Sequence, residues 1–156
     1  MDDISGLKRN AVICILRSGD KYLFLERKKM PNRGRWVPIG GKVDPYESPT
    51  DAAKREIYEE AGVVVDHLKV IGVLCETSPI EYNWNCFVYL SEVPFFEPPI
   101  CDEGNLAWLT IDEIKKLDTP PTTIPIFESL FESKYFIFEA KYNDALSLLS
   151  LINHIV

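Results

Sequence analysis

Apolar and polar positions alternate in short runs along most of the chain, and one stretch near the middle switches to a helical period. Residues 8–17 (KRNAVICILR) and 21–27 (KYLFLER) are rich in β-branched and aromatic residues and flank Ser18-Gly19-Asp20, which predicts a hairpin. The segment 30–40 (MPNRGRWVPIG) has Pro and Gly on both sides of a brief apolar stretch, so it predicts a loop with a short strand before the double glycine. Residues 68–76 (LKVIGVLCE), 84–92 (WNCFVYLSE), 105–110 (NLAWLT) and 135–140 (YFIFEA) predict further strands, the first two joined by a polar turn through Pro79 and Asn83. The proline-rich spots at 97–100 and 119–125 read as loops and are too short to separate domains.

Between the strands lies a helix with explicit punctuation. Ser48 can cap it, Pro49 suits its first position, Asp51 favours the positive end of its dipole, and Gly62 can take the left-handed conformation that stops it. The predicted span is Pro49 to Ala61. Ile111 to Lys116 predict a helical turn, and Thr122 to Ser133 a second helix with Ile124, Ile126, Phe127, Leu130 and Phe131 at helical spacing. The tail after Asn143 puts Ala145, Leu148, Leu149, Ile152 and Val156 on one helical face, and it is read as helix.

With 156 residues and 46% apolar content the expectation is one domain over 1–156, large enough to hold a core without disulfides or structural metal. The net charge of −7 speaks against binding long nucleic acids, which calls for a basic balance. Cys14, Cys75, Cys86 and Cys101 form no C-x-x-C pair, so reduced thiols in a cytoplasmic protein are expected. The N-terminal MDDISGLKRN lacks the apolar stretch of a secretory signal, and the apolar tract from Leu146 to Val156 is short of the roughly 20 residues that cross a bilayer. No membrane association is expected.

The chemistry concentrates in residues 41–63. On a helix, Glu56, Glu59 and Glu60 stand at i, i+3 and i+4, so three carboxylates leave one face. By itself this reads first as a solvated acidic face. A glutamate cluster beside a Gly-Gly turn also suits a hard divalent cation, because Mg2+ takes oxygen ligands and is commonly held by one or two carboxylates plus substrate phosphates. Arg55 can pair with Glu47 and hold the preceding loop to the helix.

The run GGKVDPYESPTDAAKREIYEEAGV resembles the signature of Nudix hydrolases, G-x5-E-x7-R-E-U-x-E-E-x-G-U with U aliphatic, and every constrained position is filled. The resemblance implies an α/β fold, an α/β/α sandwich with a mixed β-sheet between helices. It also implies hydrolysis of a nucleoside diphosphate linked to another group, dependent on Mg2+ or Mn2+. Position by position, Glu56, Glu59 and Glu60 match metal-ligand and base glutamates, the Gly41 carbonyl matches a backbone ligand, and Glu47 and Arg55 match the pair that orients loop and helix. Glu56 and Glu59 are equal candidates for the base. A further metal-ligating acid from a later loop is expected at Glu103. Arg27, closing the second strand, resembles a phosphate-contacting residue; with Lys42 and Trp36 it completes the expected substrate contacts, Trp36 and Trp84 each offering a ring that could stack on a base while Phe87 reads as core.

A compact chain with GRW-x-x-x-GGKV at 34–43 resembles MutT-type nucleoside triphosphate pyrophosphohydrolases, including those acting on oxidised purine triphosphates. Val37 stands where some of these carry a base-reading amide, Asp118-Thr119-Pro120-Pro121 lacks their aromatic and paired acids, and Tyr46 replaces a frequent glycine. Pro79 points toward ADP-ribose pyrophosphatases and Tyr82 toward dinucleoside polyphosphate hydrolases, while a non-catalytic nucleotide-binding module would have little use for a complete glutamate set. The implied partner is a small nucleotide, with homodimerisation left open.

Overall fold

The computed structural model describes residues 5–80 and 83–155. In chain order it contains β1 (Arg9–Ser18), β2 (Lys21–Arg27), β3 (Trp36–Lys42), α1 (Pro49–Ala61), β4 (Lys69–Thr77), β5 (Trp84–Glu92), β6 (Gly104–Thr110), α2 (Ile111–Lys115), α3 (Thr123–Phe131), β7 (Phe136–Tyr142) and β8 (Leu148–Asn153). Tyr82 lies outside the described residues. The strands form one mixed sheet in the order β6-β2-β3-β1-β5-β4-β7-β8. Two pairs, β1 with β5 and β4 with β7, are parallel, and the rest are antiparallel.

The β1–β2 hairpin forms at its turn but stays paired only at Arg17↔Tyr22 and Ser18↔Lys21. Beyond that β3 enters between the arms, setting Ala11–Cys14 against Lys42–Ile39 and Phe24–Glu26 against Pro38–Trp36. The double glycine therefore lies inside a strand instead of following it, and Trp36 is the first residue of that strand.

Central strands buried on both faces must be apolar nearly throughout, and each face has its own core. Val12, Cys14, Leu16, Leu25 and Ile39 pack against Ala52, Ala53, Ile57 and Ala61 of α1. On the other face Ile15, Phe24, Leu74, Val88 and Phe136 meet Ile114 of α2 and Ile126 and Phe127 of α3. Helices thus cover both faces of a mixed sheet, as expected of the α/β/α sandwich. Truncating a fully buried Ile57 to alanine should cost about 2–5 kcal/mol.

The helix that carries the candidate chemistry begins and ends where its sequence signals it. The Ser48 hydroxyl accepts from the Asp51 amide at 3.1 Å, and Gly62, at φ 72°, donates its N–H to the Tyr58 carbonyl. The C-terminal tail corrects the sequence expectation: Leu148–Asn153 is a strand, not a helix. The Asn143 side chain accepts from the amides of Ala145 and Ser147 and turns the chain, and β8 then satisfies the free edge of β7. A run such as LLSLIN fits either period, and an open row of backbone donors and acceptors decides for strand. Among the described residues no helix is long and apolar enough to cross a membrane, and all four cysteines are free.

Candidate active site

Arg55 is the hub of the loop-to-helix junction. Its Nε and Nη2 donate to the two oxygens of Glu47 at 2.8 and 2.9 Å, Nη1 donates to Glu56 at 2.9 Å and Glu59 at 3.2 Å, and Nη2 reaches the Lys42 carbonyl at 3.0 Å. Asp44, which the sequence reading did not single out, adds a carboxylate at 3.4 Å from Nη2. The loop is tied further by the Asp44 amide, which donates to Glu47. Both hydrogen-bonded partners feel the pairing: Glu47 is held down to about 2, chiefly by the Arg55 bonds and then by the Asp44 amide, and the guanidinium is pushed above its ordinary value.

The three glutamates of α1 run from buried to exposed. Glu60 is 7% exposed and reaches the Gly40 amide at 3.4 Å, the Glu56 side chain is 13% exposed, and that of Glu59 is 55% exposed. Gly41 is what lets Glu56 sit there, since a Cβ at this position would stand 2.4 Å from Glu56 Oε1. Burial raises Glu56, with Arg55 opposing. Burial raises Glu60 further, to about 8, reinforced by the charges of Glu56 and Glu103 and opposed by the Gly40 N–H and the more distant Arg27.

A cavity of about 260 Å3 opens beside the same strand, bordered by Gly40, Gly41 and Lys42. Its remaining wall includes Arg27, Arg35, Leu74, Trp84 and Phe127. Arg27 is braced by donating to the Pro31 carbonyl at 2.7 Å, and the Lys42 ammonium lies 5.9 Å from the centre of the Trp84 ring. Glu103 pairs with Lys29 at 3.5 Å. Trp36 packs partly buried against the α3-side core and does not line the cavity; Trp84 does. Three further lining residues, Glu76, Tyr142 and Asn32, carried no motif in the sequence; Glu76 looked only like the polar end of a strand.

The donor set fits a divalent cation. Among the described residues no three acidic, cysteine or histidine side chains form a ready-made cage, but a Mg2+-type site needs only one or two carboxylates when phosphate and water supply the rest. Glu60 is a nearly buried carboxylate, next to another acid, and among the described residues it accepts a long hydrogen bond of 3.4 Å from a backbone amide. Such a group is expensive to ionise unless a cation joins it. Glu56 and Glu60 beside Gly40-Gly41 are therefore the ligands this geometry offers first, with Glu59 on the solvent side.

A family model described as NUDIX domain matches residues 7–130. Over 125 residues, 80% of each chain, the sequence is 30% identical to the oxidized purine nucleoside triphosphate hydrolase of Mus musculus. It is also 30% identical to the Nudix hydrolase YvcI of Bacillus subtilis over 113 residues, 69% of this chain and 70% of that one. A mutator MutT protein from Bacillus halodurans superposes with a TM-score of 0.81 at 27% identity, covering 94% of this chain and 97% of the other.

Proposed function

The chain belongs to the Nudix hydrolases, which are pyrophosphohydrolases, and on that premise we propose that it cleaves nucleoside triphosphates, oxidised ones included, to the monophosphate and pyrophosphate with Mg2+ or Mn2+. One observation carries the reading: carboxylates graded from buried to exposed adjoin Gly40-Gly41, which opens onto a cavity rimmed by Arg27, Arg35 and Lys42. A cavity of this size is near the lower end of those that take small ligands. The likeness to a mouse enzyme named for oxidized purine nucleoside triphosphates supports the same substrate class.

Glu56, Glu60 and Glu59 would hold the ion with the Gly41 carbonyl, and Glu103 is the accessory acid. When bound, a divalent ion neutralises pyrophosphate oxygens and lowers the pKa of water. Glu56 or Glu59 takes the proton from the attacking water. Arg55 and Glu47 keep those carboxylates in register by clamping the loop to α1. Arg27 and Lys42 supply the positive charge that phosphate oxygens require, against a helix α1 that is net negative.

Pyrophosphate release from a panel of nucleoside triphosphates, ADP-ribose and dinucleoside polyphosphates, each with Mg2+ or Mn2+, tests this reading. Turnover of triphosphates with strict dependence on the added metal is expected. Preference for ADP-ribose or a dinucleoside polyphosphate would replace the substrate assignment, and binding without turnover of any of them would make the domain a nucleotide-binding module.

A further inference from the structure

Among the described residues, the cavity holds an acid that the hydrolytic machinery leaves unused. Glu76, near the end of β4, lines it beside Leu74, Trp84, Cys86, Phe127 and Tyr142. The Tyr142 hydroxyl donates to Glu76 Oε2 at 2.6 Å, fixing the carboxylate in place, while among the described residues Oε1 meets the Cys86 thiol, a weak donor, at 4.0 Å. Burial among these apolar and aromatic neighbours raises the group; the Tyr142 bond and the charge of Lys8 oppose that. A carboxylate with unmet acceptor capacity in such a wall gains when a ligand brings N–H donors to it.

Trp84 stands directly opposite Glu76 in the β4–β5 register. Side chains of directly paired residues share a face about 5 Å apart. A flat ring laid on the Trp84 indole therefore presents its edge to Glu76. Strand order adds the span. From β3, which carries Gly41 and Lys42, two strands intervene before β4, so Glu76 is about 14 Å from β3 at the usual strand spacing. A ribose and the first phosphate fill that interval.

We propose that Glu76 determines base specificity by accepting from a base edge with two adjacent N–H donors, as guanine presents with N1–H and its 2-amino group. The inference rests on the nucleotide reading of the site. An ionised carboxylate only accepts hydrogen bonds, and its two oxygens match two parallel donors. Adenine and cytosine set a ring-nitrogen acceptor beside their amino group, and uracil flanks its single N–H with two carbonyls. Each turns at least one lone pair toward Glu76. A 2-aminopurine-type edge with a protonated N1 does not.

The experiment compares GMP with IMP, which lacks the 2-amino group, by tryptophan fluorescence titration of the full chain, and GTP with ITP by kcat/KM in the presence of Mg2+. The intact protein should favour the guanine member about ten- to a hundredfold in both readouts. Glu76→Gln, which keeps one acceptor and the Tyr142 contact, should bring that preference below about threefold. Tyr142→Phe, which leaves the carboxylate but frees it to turn, should give an intermediate preference and serves as the deciding variant if Glu76→Gln does not fold. Equal binding of GMP and IMP by the intact protein, or a preference unchanged in both variants, overturns the proposal. A Glu76-dependent preference for GMP without turnover of any triphosphate leaves the base assignment standing and removes the hydrolytic one; turnover indifferent to the 2-amino group does the reverse.

Discussion

Gly41→Ala separates the role of the double glycine in catalysis from its role in folding. The added Cβ would lie 2.4 Å from Glu56 Oε1 and 2.5 Å from its carboxylate carbon, where ordinary contact begins at 3.4 Å. The carboxylate must therefore retreat by about 1 Å, because backbone on the strand side has less freedom than the end of a long side chain. Gly41 has no left-handed φ, so alanine meets no backbone strain there. An off-rotamer Glu56 costs roughly 1 kcal/mol, and a domain of this size melts about 2–4 °C lower for each kcal/mol lost. A 1 Å displacement of a group that positions water or metal can cost about a hundredfold in rate. Metal-supported triphosphate hydrolysis and thermal melting of the same preparation should thus diverge, with kcat down about a hundredfold and the melting temperature down by a few degrees. A kcat within threefold of the parent would refute the reasoning, since Glu56 would have moved without consequence. Unfolding in proportion to the lost activity would refute it differently, by making the glycine a packing residue alone.

Gly62→Ala should show the opposite profile: its φ of 72° makes alanine strained by about 1–2 kcal/mol, yet nothing lies within 4 Å of the new Cβ, so denaturant melts should shift while kcat holds. Glu56→Gln and Glu59→Gln should each reach the parent's thermal stability within a few degrees, and at least one should lose about 100- to 10,000-fold in kcat; near-normal rates in both would sink the base assignment. With chelator present, stability should fall as pH rises from about 4.5 to about 8, because the native chain keeps the Glu60 proton up to about 8 while the unfolded chain releases it near 4.5. Urea melts of the parent minus those of Glu60→Gln should isolate this slope, worth about 5 kcal/mol across the window, and a pH-independent difference would count against a buried, cation-seeking carboxylate.

Local signals were legible wherever a residue type has one dominant use. Ser48, Pro49 and Gly62 bracket α1 because a cap, a fixed φ and a left-handed stop leave the chain few alternatives, and the Gly41 to Val63 spacing let the glutamates be read together before any fold was known. Non-local competition was not legible. The hairpin turn at Gly19-Asp20 did not reveal that β3 would enter between its arms, and the C-terminal run followed the open edge of β7 instead of its own periodicity. The same limit left Trp36 and Trp84 together as candidates to stack on a base. Both are strand tryptophans near the box in the sheet, and only the strand register decides which borders the cavity.

The charge balance shows how local and non-local information combine. Residues 41–63 hold six acids and three bases, yet those acids are not equivalent once folded. Arg55 bonds Glu47, Glu56 and Glu59 and has a fourth acid, Asp44, within ion-pair distance, while Glu60 is left against the Gly40 amide of the interior strand β3. Arginine thus fixes the outer carboxylates in place and leaves the buried one as the group with most to gain from an added cation. Affinity for polyphosphate should accordingly appear only with the metal: the protein's own cations, Arg27, Arg35 and Lys42, stand on the cavity side of β3, and the acids stand on the side of α1. An anionic substrate bridging the two needs positive charge at both ends, and at the acid end the Arg55 guanidinium is already taken up by the carboxylates it bonds.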